Sequence, residues 1–220
     1  MQMWLSLFLS SFILIGCGSK TNNISFQAHT YKNDAIFLYK QDKEKQAIVS
    51  LEKALEIYKS VDNIDSQVET LLLLLKITDN TKYLKSAQKF LGVSLSKIDD
   101  KILFAKALYS MDEKLFLKFK NSEDDEIKTL SLLYLYKLTK EDKYLKQISY
   151  SKKDFVYSFY LVTLFDVTND ILLLKEALSI DKKLESKRFI KRDLEKLSLY
   201  YKDTDTNKSN FYRQRADAIN

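Results

Sequence analysis

Residues 77–85 read ITDNTKYLK, and the same pattern returns at 138–146 as LTKEDKYLK and at 167–175 as VTNDILLLK. Thr, Leu and Lys fall in register in all three. A worn fourth copy, SMDEKLFLK, occupies 110–118. The matched lysines Lys85, Lys118, Lys146 and Lys175 therefore recur every 28 to 33 residues or so, the period of helical-hairpin repeats.

Each copy follows an apolar stretch with helical spacing: Leu71, Leu72, Leu74 and Leu75, then Leu132, Leu133, Leu135 and Tyr136, then Leu161, Val162, Leu164 and Phe165. Paired ridges of this kind form one buried face of a helix. The Thr that follows is expected to accept from the free N–H groups of the next helix, and Thr139 with Asp142 and Ser122 with Asp125 have capping-box-like spacing. Working outward, six hairpins are predicted, over about 29–60, 65–91, 99–120, 123–149, 153–181 and 187–219. A single hairpin cannot bury both its apolar faces, whereas stacked neighbours share a core. The last helix, with Tyr212, Ala216 and Ile219 on one side and Arg213, Arg215 and Asp217 outward, suits a polar end cap.

Composition agrees with an all-α class. Three Gly and no Pro in 220 residues leave almost none of the residues that make hairpin turns and β-bulges. Hydrophobic residues at 45% and charged residues at 30% suit a folded chain rather than a disordered one. The length fits one structural unit. A formal charge of +6 could point to nucleic acid, an anionic membrane or an acidic partner, but Lys is spread through nearly every helix instead of forming one stripe, so the charge reads as a solvated surface and nucleic acid is not expected.

The first hairpin carries Ala35 and Leu38 on one helix and Ala47, Leu51 and Ala54 on the next. This resembles a tetratricopeptide repeat, in which small residues let two helices approach and large ones fill the seam. The family's usual Trp, Gly and closing Pro are missing, so the later hairpins are tetratricopeptide-like. The resemblance implies a right-handed α-solenoid of antiparallel helix hairpins over 29–220; a compact helical bundle is the alternative.

At the other end, residues 3–15 read MWLSLFLSSFILI, an uncharged apolar run with the length of a signal-peptide core and too short for an ordinary spanning helix. Leu14, Ile15, Gly16 and Cys17 follow. They resemble the lipobox of bacterial lipoproteins, although Met1 and Gln2 supply no basic residue. The resemblance implies a signal peptide over 1–16, cleavage before Cys17, and diacylglycerol with palmitate-type acylation on Cys17, the only cysteine. The alternative is an ordinary secretory signal or a short membrane helix. Gly18 and Ser19, where an inner-membrane lipoprotein of many enterobacteria carries Asp, imply the outer membrane, facing the periplasm. Residues 17–28, with the polar run GSKTNNISFQ, are expected to tether lipid to fold.

Catalytic inventory is thin. His29 is the only histidine, at the junction of tether and first helix, where it reads as solvated surface. Without a second His or a free Cys, the common zinc sites and Ser/His or Cys/His pairs lack parts. Beyond Gly18 the chain has only Gly92, too little for a phosphate loop; Gly92 is expected to end the helix holding Phe90 and Leu91 in left-handed conformation. The run Glu123, Asp124, Asp125 and Glu126 could bind calcium or supply paired carboxylates, but reads as first-turn charge on a helix dipole, as do Asp99 and Asp100. No metal and no cofactor are expected.

Aromatic residues gather in the fourth and fifth hairpins. Most read as core, with Tyr157 and Tyr160 candidates for anchoring a partner peptide on an inner surface. The function this suggests is a non-enzymatic scaffold that presents a helical groove to another envelope protein, held to the membrane through Cys17. Two alternatives stay open: a murein-processing or cell-wall-associated accessory protein using carboxylates in a groove, and a carrier of a small apolar ligand.

Overall fold

The chain is rich in Leu and Lys and almost free of Gly and Pro, so few residues along it break a helix. The computed structural model describes residues 23–93 and 98–219, and among these there is no strand. The helices are α1 (Asn23–Lys40), α2 (Glu44–Ser60), α3 (Ile64–Thr78), α4 (Thr81–Gln88), α5 (Ile98–Ser110), α6 (Glu113–Phe119), α7 (Asp125–Thr139), α8 (Phe155–Thr168), α9 (Ile171–Lys183), α10 (Lys187–Tyr201) and α11 (Thr206–Asp217), with a 3₁₀ turn at Leu145–Gln147. No helix among the described residues is long and apolar enough to cross a membrane.

Five of the six predicted hairpins coincide with a helix pair. The stretch 123–149 differs, since α7 is followed only by the 3₁₀ turn. A second difference is the start of α1, at Asn23 rather than near residue 29, within the expected tether. Ser25 and Gln27 do not break a helix, and the buried side of α1 is marked by small residues, Ala28 and Ala35, which give little apolar periodicity to read.

Where the sequence suggested one unit, the chain divides into two compact ones, Met1–Tyr39 with Lys43–Lys140, and Lys40–Asp42 with Glu141–Asn220. In the first, α2 packs on α3, α3 on α4, α5 on α6 and α6 on α7, and α3 also touches α5. Ala35, Ala47 and Leu51 are buried with Leu74, Leu75 and Ile102, and Leu38 packs against them, while Ala54 is buried with Ala28 and Tyr58. The far end of this unit is aromatic: Phe104 meets Phe116 and Phe119 edge-on at 6.1 and 5.6 Å, and Phe116 stacks on buried Tyr134 at 5.0 Å. In the second unit α8 packs on α9, α9 on α10 and α10 on α11, over Leu161, Val162, Leu174, Ala177, Leu197 and Ala216. Tyr212 and Ile219 seal α11 against that core while Arg213 and Asp217 are exposed.

Helices also meet laterally one hairpin apart. Lys32 on α1 pairs with Glu69 on α3, 37 residues on, and Glu69 with Lys101 on α5, 32 residues on. In the second unit Arg192 on α10 reaches Ser158 on α8, 34 residues back, and Lys196 reaches Asp166, 30 residues back.

The turns share one construction at the matched positions. Thr78, Thr139, Thr168 and Ser110 each donate the side-chain hydroxyl to the carbonyl four residues back, at 2.7 to 2.9 Å. The next residue is left-handed in all four: Asp79 at φ 53°, Lys140 at 61°, Asn169 at 57° and Met111 at 51°. Asn80, Asp112 and Asp170 then cap the following helix, accepting from Lys82 N, from Lys114 N and Leu115 N, and from Leu172 N. The expectation that Thr is the N-cap is thus corrected. Thr still lies on helical backbone, where its hydroxyl is aimed at the preceding turn, and the chain needs one left-handed residue before it can restart. Likewise Asp124, not Ser122, caps α7, and Ser122 instead accepts from Asp124 N at 3.2 Å. Gly92 is left-handed at φ 76°, but α4 ends at Gln88, so Phe90 and Leu91 belong to the turn.

Candidate functional site

The first unit carries a strip of fixed charge across α1, α3 and α5. Glu69 receives Lys32 Nζ on Oε2 at 3.1 Å and Lys101 Nζ on Oε1 at 3.0 Å. Lys32 sits on the Ala28–Ala35 side of α1 and is itself buried, so the pair with Glu69 compensates a charge removed from water. Its ammonium also lies 5.9 Å from the Tyr58 ring centre. Further along the same two helices, Lys76 of α3 lies 5.5 Å from the ring centre of Tyr39 on α1.

His29 stands beside this strip. It lies within α1, where the ring Nδ1 bonds Tyr58 Oη at 2.9 Å and the rings meet edge-on at 5.5 Å. The reading of His29 as plain solvated surface is corrected: its residue is exposed, but one ring nitrogen is engaged. Burial, then the charge of Lys32, lowers its affinity for a proton. Burial pushes the Tyr58 hydroxyl up to about 12, a bond from Ser66 working against it and Glu69 with it.

Next to Lys101 a partly open cleft of about 270 Å³ runs between α5, α6 and α7, lined by Asp100, Lys101, Lys118, Phe119, Glu123 and Asp124 among others. Its lining mixes charged side chains with the apolar Phe119 and Ile127. Two members of the acidic run line it, and the run does what its position predicts. Asp124 accepts from Glu126 N and Ile127 N, and Asp125 and Glu126 fill the first turn of α7. Among the described residues no cluster of His, Cys, Asp or Glu could hold a metal.

The second unit holds a charge cluster that the sequence reading missed. Asp181 of α9 and Asp193 of α10 are both 0% exposed. Arg192 Nη2 donates to Asp181 Oδ2 at 3.0 Å and its Nε to Asp193 Oδ1 at 2.8 Å, while Ser158 Oγ donates to Asp181 Oδ2 at 2.8 Å. Asp181 Oδ1 and Asp193 Oδ2 have no donor. Burial, opposed by Arg192 and reinforced by Asp193, pushes the Asp181 carboxyl up to about 8, and Asp193 is raised as well, again by burial first. Two carboxylates facing one guanidinium are best satisfied by retaining one proton between them. The signal was present: Asp181 continues the Leu174–Ala177 face, and Asp193 lies between Phe189 and Leu197. An acid on an apolar helical stripe is either paired or protonated.

Tyr157 and Tyr160 lie side by side on α8, ring centres 6.2 Å apart and planes at 48°. Both are half-buried. Tyr157 packs against the second unit's core, and burial and then Tyr157 raise the Tyr160 hydroxyl. Cys17 lies outside the described residues.

A scan of family models matches none, and searches of curated proteins and of solved structures find no similar one.

Proposed function

We propose that the protein is a lipoprotein of the bacterial envelope, anchored by acyl chains on Cys17, whose tetratricopeptide-like hairpins stack within each unit and present a helical face to another envelope protein without catalysing a reaction. The observation that carries the interaction reading is the bridge from Lys32 through Glu69 to Lys101. One carboxylate that binds lysines from both neighbouring odd-numbered helices supports a layer made of α1, α3 and α5. Stacked hairpins produce such a layer, and repeat proteins bind their partners along it. The shared Thr and left-handed turn at residues 78–79, 110–111, 139–140 and 168–169 supports the same reading, with Ser in place of Thr at 110 and Asp, Met, Lys and Asn as the left-handed residues. Both arguments concern the fold; the envelope address and the outer membrane come from the lipobox-like Leu14–Cys17 alone.

The half-buried Glu69 and Lys101 and the half-buried pair Tyr157 and Tyr160 suit recognition of a peptide or protein surface. The murein-processing alternative needs two acids open to substrate. Asp181 and Asp193 have raised proton affinity but no exposed surface, so they favour a structural role in that unit.

The test is photocrosslinking in intact cells from residues substituted at Lys101, Tyr157 and Tyr160. A defined envelope protein is expected from at least one position, and its yield should fall when the neighbouring strip or tyrosine is changed to Ala. Recovery of no partner from any position counts against the scaffold. Separately, Cys17→Ser should abolish incorporation of labelled palmitate and move the chain out of the membrane fraction.

A further inference from the structure

The outward side of α1 carries Phe26, Thr30, Asn33 and Phe37, spaced i, i+4, i+7 and i+11, which places them on one stripe. All four are exposed, and the two rings are unusually so, at 70% for Phe26 and 58% for Phe37. The stripe has no charge. The opposite side of the helix is already committed, with Ala28, Lys32 and Ala35 buried. A single exposed Phe needs no explanation, but two in line on an uncharged stripe form a face with an apolar content that water does not favour.

Chain length says what can reach it. Five residues separate Cys17 from Asn23, where α1 begins, and six peptide steps span at most about 21 Å. Acyl chains on Cys17 would therefore hold the first turn of α1 within that distance of the headgroups. Phe26 and Phe37 are eleven residues apart, about 16 Å along the axis. An upright helix would bring only Phe26 near the lipid, whereas a helix lying flat puts both rings at one depth.

We propose that the Phe26–Phe37 face of α1 lies flat in the interfacial layer of the bilayer that holds the Cys17 acyl chains. This rests on the lipid-anchor reading and deepens it: the anchor supplies residence, and the aromatic face fixes the orientation in which the first unit meets the membrane. Interfacial helices bury such a side to about 5–10 Å, and aromatic rings are favoured at that depth.

The sequence supplies its own probe, since its one Trp lies at position 4, inside the expected signal peptide. The lipidated full chain would be isolated as Phe26→Trp, Phe37→Trp and, as control, Val49→Trp at an exposed site of α2. Each would be reconstituted into phosphatidylethanolamine and phosphatidylglycerol vesicles containing phospholipid brominated near the top of its acyl chains. Emission of Phe26→Trp and Phe37→Trp should fall by about half and shift to shorter wavelength, as burial to interfacial depth requires, with Val49→Trp unchanged. Quenching at position 26 but not 37 overturns the flat orientation. No quenching at either, in chains that carry labelled palmitate on Cys17, overturns the face and leaves the anchor standing. Absence of label on Cys17 overturns both.

Discussion

Replacing Asp181 by Asn tests whether its buried cluster holds a proton that the unfolded chain releases. In the fold the carboxyl is pushed up to about 8, by burial first; unfolded, it titrates near the ordinary Asp value of about 3.9. Between those values the native state binds more protons than the unfolded state, so stability falls as pH rises and levels off above about 8. One proton corresponds to about 1.4 kcal/mol per pH unit, and two units, from pH 5 to pH 7, set a ceiling of about 3 kcal/mol. The raised Asp193 acts in the same direction. The amide introduced by Asp181→Asn is uncharged at every pH, can accept from Ser158 and Arg192 through its oxygen, and can donate its N–H to the free oxygen of Asp193.

The variant should therefore gain on the parent as pH rises, by up to about 3 kcal/mol between pH 5 and pH 7. The lowered proton affinity of His29 has the opposite sign, since it costs stability as pH falls below about 6.5, but it is common to both chains and cancels in their difference. Urea unfolding at pH 5, 6 and 7 gives the free energies, and hydrogen exchange of the α9 and α10 amides assigns the change to the second unit. Parallel pH profiles for parent and variant would refute the shared proton.

Arg192→Met leaves two buried acids without their cation and should cost about 3–5 kcal/mol at neutral pH, with part recovered in the double variant with Asp181→Asn, both read from urea midpoints. Glu69→Gln should cost about 1.5–3 kcal/mol in the first unit because Lys32 loses its charged acceptor, whereas Lys101→Ala, at the more exposed end of that bridge, should cost under about 1 kcal/mol; chemical denaturation of each checks the order. Lys140→Gly removes the left-handed penalty of a side chain and should raise stability by about 0.5–1 kcal/mol, net of glycine's entropy, with Asn169→Gly closer to neutral because Asn tolerates that conformation; thermal melts decide. Asp154→Ala removes the cap that accepts from Val156 N and Tyr157 N and the bond from Tyr150 Oη at 2.6 Å, and should cost about 1–2 kcal/mol, read from the urea midpoint.

What could be read from the sequence follows from which residues carry a period. Leu71, Leu74 and Leu75 announce α3 because large apolar side chains recur on its buried face, and Phe189, Leu194 and Leu197 do the same for α10. Apart from the start of α1 and the stretch 123–149, the expected hairpin limits lie within a few residues of the helix ends. In α1 the signal is inverted: the buried side is Ala28, Lys32 and Ala35, while the large rings Phe26 and Phe37 point outward, so the first turns resemble a polar linker. The second half of the fourth pair, residues 141–149, keeps the Tyr144 and Leu145 of its motif as buried residues yet folds only into a 3₁₀ turn. The local pattern preserves the anchors without the run of following residues that would lengthen a helix.

The charged groups were hidden for a different reason. Lysine and aspartate are mostly surface residues, and each of Lys32, Glu69, Asp181 and Asp193 becomes unusual only when its partner is known. The partners of Lys32, Glu69 and Asp181 lie on other helices, 37 residues away for Lys32 and Glu69 and 23 for Ser158 and Asp181, and Asp193 bonds the adjacent Arg192, which also holds Asp181; a one-dimensional period cannot join such sets. Periodicity can still flag the position. Lys32 falls between Ala28 and Ala35, and Asp181 follows Leu174 and Ala177 on the same face. A charge that interrupts an apolar stripe leaves its helix either a strained surface or a paired interior, and in a chain of this length with its helices packed on their neighbours, pairing costs less free energy. Such interruptions locate helix-to-helix ties that side-chain size alone does not specify: Lys32 joins helices one hairpin apart, and Asp181 joins α9 to its neighbours α8 and α10.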